Sequence, residues 1–134
     1  MRVLSACALV LLAGCDASSD LGSVSFQTDA PAYRLGDAVT VRLTNGSDAR
    51  VGYNLCFSTL QRSDGGRWLD VDRSTTEDPQ VCQAILLGLE PGESAEGRLT
   101  VPDRAQAGEY RVQTSVEVGD DGAGRVVTNP FDVD

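Results

Sequence analysis

The feature that most constrains the fold is an alternation of apolar and polar residues with a period of two. The clearest example runs from Tyr110 to Val118, where the polar residues Arg111, Gln113 and Glu117 lie between residues suited to a core. Successive side chains of a β-strand point to opposite faces, so this pattern predicts a half-buried strand. No segment carries the apolar spacing of an amphipathic helix over a convincing length. We therefore expect a domain that is nearly all β.

The same alternation predicts six further strands, which makes about seven in total. They contain Val24 and Phe26, then Val39, Val41 and Leu43, then Val51, Tyr53, Leu55 and Phe57, then Trp68, Leu69 and Val71, then Leu99 and Val101, and finally Val127, Phe131 and Val133. Pro130 indicates an edge position for the last of these. Turn signals separate the strands at intervals of about ten residues, among them Ser63-Asp64-Gly65-Gly66. Short strands in this arrangement favour a sandwich of two sheets, with a small β-barrel as the alternative.

Several segments resemble bacterial immunoglobulin-like domains of the kind found in lipoproteins. The segments are Tyr33-Arg34-Leu35-Gly36-Asp37, Asp64-Gly65-Gly66-Arg67-Trp68, Leu89-Glu90-Pro91-Gly92-Glu93 and Ala107-Gly108-Glu109-Tyr110-Arg111. The resemblance covers about residues 21–134 and implies an all-β, immunoglobulin-like β-sandwich of about seven antiparallel strands. It also implies that Tyr110 forms the tyrosine corner of such folds. A looser resemblance is to small bacterial β-sandwich proteinase inhibitors.

The amino terminus has the features of a lipoprotein signal peptide. After Arg2 comes an apolar run that is too short to span a bilayer, which needs about 20 apolar residues. It ends in Leu12-Ala13-Gly14-Cys15, which matches the lipobox of bacterial lipoproteins. We predict a signal peptide over residues 1–14, a lipidated flexible tether over 15–20 and the domain over 21–134. The alternative is an ordinary secretory signal that happens to end near a cysteine.

Lipid on Cys15 would place the protein at the cell membrane or the outer membrane, facing the periplasm or the outside. In that oxidising setting Cys56 and Cys82, the remaining pair of the domain, are expected to form a disulfide. A bond between the predicted third strand and the connection before the fifth would pin the segment from Val71 to Val81 against the sheet. This pinned segment is a candidate binding surface, or a loop secured against proteolysis. Two free or metal-binding thiols are the alternative to the disulfide.

Composition excludes several classes of function. The chain has 20 acidic and 11 basic residues, and this acidic balance argues against a nucleic-acid partner, because phosphate binding needs a basic face. All basic residues are arginine, so the Ser-His-Asp and Cys-His arrangements of hydrolases lack their histidine here and the Ser-Lys arrangement lacks its lysine. The acidic pairs Glu77-Asp78 and Asp120-Asp121 lack the alternating pattern of a strong calcium loop and are better read as solvated turns. We expect no catalytic residues, no cofactor and no metal site.

Two functions from different classes remain. The first is a non-catalytic binding or interaction module in the cell envelope, which recruits a protein or a saccharide through loops or a sheet edge. The second is an inhibitor of an exported proteinase. A passive envelope component without a dedicated partner is a third possibility that the sequence does not separate from the first.

Overall fold

The computed structural model describes residues 23–71, 82–119 and 122–134 of the chain. These parts of the chain form two β-sheets packed face to face. The strands are β1 (Val24–Thr28), β2 (Ala32–Tyr33), β3 (Ala38–Asn45), β4 (Val51–Tyr53), β5 (Thr59–Asp64), β6 (Arg67–Asp70), β7 (Leu87–Leu89), β8 (Ser94–Thr100), β9 (Gly108–Val118), β10 (Ala123–Val127) and β11 (Phe131–Val133).

The smaller sheet has three antiparallel strands in the order β1-β3-β8. Its central strand β3 shows why the alternation in the sequence specifies a sandwich. Val39, Val41 and Leu43 are fully buried, whereas Thr40 and Arg42 between them lie on the outer face. A strand with this pattern is stable only when another layer covers its apolar face.

The larger sheet is built around the long strand β9. On one side β9 pairs in succession with β4 and β5, and on the other side with β10 and β11. β7 extends the sheet beyond β4, β6 extends it beyond β5, and β2 adds a parallel pair to β11. The two sheets confirm the sandwich rather than the barrel.

Aromatic side chains at one end of the core hold the turn before β9. The Tyr110 hydroxyl donates a hydrogen bond to the carbonyl of Gln106, which is the tyrosine corner that the family resemblance implied. The Tyr110 and Phe131 rings stack with their centroids 6.3 Å apart. The Tyr33 ring meets Phe131 edge-on at 5.1 Å. Edge-to-face and offset-stacked pairs are the favoured geometries of aromatic rings in cores.

The predicted third strand is wrong beyond Tyr53. The backbone leaves the strand there and makes a 3-10 turn over Leu55–Phe57, which Asn54 caps by accepting a hydrogen bond from the Cys56 amide at 3.1 Å. Phe57, which the alternation assigned to the core, is therefore 55% exposed. A polar side chain that satisfies a local amide can end a strand even where the apolar pattern continues.

The carboxyl-terminal segment also differs from the prediction. β11 is not at an edge, because β9 flanks it on one side and β2 on the other. Pro130 instead lies in the break between β10 and β11, where the chain needs no ladder hydrogen bond. In β10 the buried residue is Val126, and Val127 is only half-buried.

The described ranges hold eleven strands because two long strands are interrupted and short ones are added. The pair β4 and β5 occupies one side of β9, and the pair β10 and β11 occupies the other. β2, β5 and β7 were not predicted. β5 lacks a clean alternation, since the adjacent residues Leu60 and Gln61 within it are both buried.

Candidate interaction surface

A disulfide between Cys56 and Cys82 lies at the end of the larger sheet where β4 leaves it. The Cα atoms of the two cysteines are 5.6 Å apart, within the usual range for a disulfide. The predicted bond is present, but its setting differs from the prediction. Cys56 is in the 3-10 turn rather than in a strand, and Cys82 is in the irregular segment that leads into β7.

Asn54 fixes the segment that follows the disulfide. Its side-chain amide donates to the carbonyls of Gln83 and Ile85, both at 2.8 Å, while its carbonyl oxygen caps the 3-10 turn. The Asn54 side chain thus joins the backbone at Cys56 to the backbone that follows Cys82. The arrangement holds residues 83–85 in a defined position without regular secondary structure.

Four exposed apolar side chains lie within five residues of Cys56 or Cys82 along the chain, and we call them the apolar surface. They belong to Phe57, Ile85, Leu86 and Leu87, with exposed fractions of 55, 52, 63 and 45%. Within the described ranges Leu69 on β6 is the one other exposed large apolar residue, at 39%. Isolated apolar side chains are common on surfaces, but a group of them marks an interaction site more often.

Leu86 lies across β4 rather than projecting freely. A Cβ atom built on Gly52 would come within 2.8 Å of the Leu86 side chain, so the glycine makes room for it. In the same way the Arg50 side chain covers Gly88 of β7, and Arg50 forms an exposed ion pair with Glu90 at 3.1 Å. An exposed pair of this kind contributes little stability, so its main effect here is to place charge beside the apolar surface.

β7 ends the larger sheet, and in the described part of the chain only β4 pairs with it. Its three residues, Leu87–Leu89, carry no charge. Of the other edge strands, β6 and β8 carry charged residues, which protect an edge from pairing with another strand, whereas β1 carries none. The apolar surface therefore adjoins a strand edge that lacks this protection.

A polar network lies on the outer face of the same sheet, across β5, β6 and β9. The Arg111 Nε donates to Gln61 Oε1 at 2.8 Å, and Gln61 Nε2 donates to Asp70 Oδ1 at 2.9 Å. The Arg111 guanidinium also lies 4.4 Å from the centre of the Trp68 ring. Burial lowers the pKa of Arg111, though it stays charged near neutrality. This network braces the β5–β6 hairpin against β9.

Several residues singled out in the sequence lie outside the described ranges. These are the lipobox residues Leu12, Ala13, Gly14 and Cys15, the acidic pairs Glu77-Asp78 and Asp120-Asp121, and all of the pinned segment except Val71. Within the described ranges, no three histidine, cysteine or acidic residues are grouped so that they could hold a metal ion. No helix in those ranges is long and apolar enough to span a membrane.

Sequence reasoning missed the apolar surface. It assigned Phe57 to the core and gave no role to Ile85, Leu86 and Leu87. One signal was available: three consecutive large apolar residues of a strand point alternately to its two faces, and in a sandwich only one face of each sheet meets the core. Their position just after a predicted disulfide cysteine pointed to the same place.

The family of the chain follows from comparison with known domains. Residues 20–130 match the family model of the bacterial Ig-like domain. The chain belongs to the bacterial Ig-like domain family. No curated protein sequence matches it.

Solved structures similar to this Ig-like domain are distant. The sporulation control protein Spo0M from Bacillus subtilis matches with a TM-score of 0.46 and 16% identity, over 84% of this chain and 49% of that one. The ApaA protein from Bordetella pertussis matches with a TM-score of 0.45 and 20% identity, over 81% of this chain and 87% of that one. A family 123 glycoside hydrolase from Clostridium perfringens matches with a TM-score of 0.37 and 13% identity, over 83% and 27% of the two chains. The chain spans about half the length of Spo0M.

Proposed function

We propose that this chain is a membrane-anchored bacterial lipoprotein whose Ig-like domain binds a protein partner in the cell envelope. The lipobox Leu12-Ala13-Gly14-Cys15 supports the anchor, and residues 15–20 would be the tether between the lipid and the domain. Family membership supports a binding role, since Ig-like sandwiches commonly present loops and edges to partners.

The observation that carries the proposal is the apolar surface at the uncharged edge of β7. Four large apolar side chains with exposed fractions of 45% or more lie within five residues, along the chain, of the two cysteines that the disulfide joins. Such a surface favours a protein over a saccharide, because burial of apolar area is the main driving force of protein association. The open edge of β7 would let an extended segment of the partner add a strand.

The disulfide and Asn54 give this surface the rigidity that binding needs. A surface that is already ordered loses less conformational entropy when a partner binds, and more of the contact energy then appears as affinity. The Asn54 bonds to the carbonyls of Gln83 and Ile85 supply that order in the backbone that leads to Leu86 and Leu87.

The test is site-specific crosslinking of the full-length protein in cells. A photo-crosslinking residue replaces Leu86 in one strain and Glu96, which is exposed on β8 of the other sheet, in a second strain. We expect one protein to be captured from position 86 in near-stoichiometric amount and not from position 96. A proteinase captured in this way would favour the inhibitor hypothesis over a general interaction module.

Two matched variants make the result specific. Leu86→Asp should abolish capture by a crosslinker at Leu87, whereas the same change at Leu69, the exposed leucine on β6, should leave it intact. Capture that survives Leu86→Asp, or that is lost only with Leu69→Asp, would contradict the proposed surface. Equal capture from positions 86 and 96 would do the same.

A further inference from the structure

A surface cleft lies between the β5–β6 hairpin and the loop that joins β8 to β9. Its volume is about 300 Å³. Arg62 and Asp70 line it from the hairpin, Arg104 lines it from the loop, and Tyr110 contributes from β9. The remaining lining is largely aliphatic. The cleft thus combines two arginines with an apolar wall, while the Asp70 carboxylate is bonded to Gln61 in the polar network of the outer face.

The hairpin side of the cleft is held in place without any ligand. Gly65 and Gly66 form its two-residue turn with positive φ angles of 56° and 84°, the conformation that a tight hairpin requires. The Val71 amide donates to the Leu60 carbonyl at 2.8 Å, just past the end of β6. The Asp70 carboxylate is oriented by its bond from Gln61 Nε2.

The loop side is held by the tyrosine corner. The Tyr110 hydroxyl donates to the Gln106 carbonyl, and the Ala105 amide donates to the Pro102 carbonyl at 3.0 Å. These bonds fix the loop backbone on both sides of Arg104. Both walls are therefore pre-formed, as the walls of small-molecule sites usually are.

Arg62 differs from the other described arginines. Only Arg62 and Arg111 are half-buried, and Arg111 is bonded to Gln61 and lies against Trp68. Within residues 23–71, 82–119 and 122–134, no hydrogen bond or ion pair reaches the Arg62 side chain. Its charge lowers the pKa of Tyr110, against a larger rise from burial, so the guanidinium lies near the phenol. A partly desolvated cation normally has an anionic or hydrogen-bonding partner.

We propose that this cleft binds a small molecule that carries a carboxylate. A guanidinium presents donors in a planar fork that matches a carboxylate, and Arg62 and Arg104 would supply this recognition. The site is cationic within a chain of formal net charge −9, so an anion is favoured at this cleft over the rest of the surface.

The volume and lining limit the ligand to a single small unit. About 300 Å³ is at the lower end of small-molecule sites and fits one sugar acid or the last residue of a peptide. Both sources present the same carboxylate. The cleft shares no residue with the apolar surface, so a result that refutes one proposal does not refute the other.

The test measures binding to the full-length protein by NMR, through the Nε–H signals of Arg62 and Arg104. The probes are glucuronate and an N-acetylated dipeptide with a free carboxylate, each paired with its neutral amide. We expect at least one acid to shift both signals in a saturable way while its amide does not. Binding of glucuronate alone would identify a sugar acid, and binding of the dipeptide alone would identify a peptide terminus.

Substitutions then locate the site. Arg62→Gln and Arg104→Gln should each weaken binding about tenfold, the loss of one charge-assisted hydrogen bond. Arg98→Gln, at an exposed position of β8, should leave the affinity unchanged. Arg104 is itself exposed, so its variant tests the proposal even if Arg62→Gln is unstable. Binding of amides as well as acids, unchanged affinity in Arg104→Gln, or no saturable shift with either acid at millimolar concentrations would overturn the proposal.

Discussion

The hydrogen bonds of a few individual side chains hold the loops of this domain in position. The Tyr110 hydroxyl holds the loop before β9, and the Asn54 amide holds the segment after the disulfide. Tyr33 performs a similar role near the amino-terminal strands, where its hydroxyl donates to Asp29 and accepts from the Ala30 amide at 2.9 Å. In each case a side chain satisfies backbone groups that no strand can pair.

Replacement of Tyr110 with phenylalanine tests the tyrosine corner. The ring and its packing against Phe131 remain, but the Gln106 carbonyl loses its donor. We expect the free energy of unfolding to fall by about 1 kcal/mol, the usual net value of one hydrogen bond. Equilibrium unfolding in urea measures the change. Tyr53→Phe is the control, since no hydrogen bond of its hydroxyl is present in the described parts of the chain. Equal stability of the two variants would refute the role of the corner.

The same phenols predict how stability depends on alkaline pH. Burial raises the pKa of Tyr33 and of Tyr110 above the ordinary value of 10.0, and for Tyr33 the hydrogen bond to Asp29 adds to the rise. Above pH 10 the unfolded chain loses these protons before the folded chain does, so folding becomes less favourable as pH rises through the folded pKa values. Below that range the contribution of the two phenols to stability does not change with pH.

Urea unfolding as a function of pH checks this effect. We expect the free energy of unfolding to decline above pH 10, and to decline less steeply when both Tyr33 and Tyr110 are phenylalanine. The slopes are compared rather than the absolute stabilities, because each substitution also removes a hydrogen bond. An unchanged slope in the double variant would show that other groups cause the alkaline loss of stability.

At the scale of elements, the break between β4 and β5 organises the interaction surface. The 3-10 turn Leu55–Phe57 brings Cys56 to Cys82 and turns Phe57 outward. The disulfide closes a loop between residues 26 positions apart in the sequence. Antibody-type domains tie their two sheets together instead, so this bond stabilises one edge of a sheet rather than the core.

Removal of the disulfide should destabilise the domain substantially. With a sequence separation of 26, the chain-entropy estimate gives a loss of about 3.5 kcal/mol for the double variant Cys56→Ala/Cys82→Ala. Urea unfolding of the full-length chain measures it. A reducing agent should lower the stability of the natural protein and leave the double variant unchanged. Equal stability of the natural and variant proteins under oxidising conditions would contradict the estimate.

At the scale of the whole molecule, the lipid anchor would decide where the domain acts. Cys15→Ala removes the thiol that lipidation requires, so we expect an uncleaved or soluble product in place of a membrane-bound one. Fractionation of cells followed by immunoblotting measures the distribution. Cys7→Ala, within the predicted signal peptide, is the matched control and should remain at the membrane. Normal membrane retention of Cys15→Ala would refute the anchor.

Much of the sandwich was predictable because its determinants are local. Alternation identified β1, β3, β6, β8 and β9, and Gly65-Gly66 marked the hairpin between β5 and β6. The cysteine count pointed to the pair Cys56 and Cys82. The family resemblance placed the tyrosine corner at Tyr110. Each of these inferences depends on residues close together in the chain or on chemistry that has one available partner.

The sites themselves were decided by tertiary structure. The sequence alone determined that the chain forms short strands of alternating apolar and polar residues around one core. It also excluded catalytic arrangements that need histidine or lysine, because the chain has neither residue. Only the fold left β7 at an edge of the sheet that the described residues form, and brought Arg62 and Arg104 to one cleft from positions 42 residues apart. The reason is physical: a period of two specifies which side chains share a face, but not which strand lies beside them or where solvent reaches them.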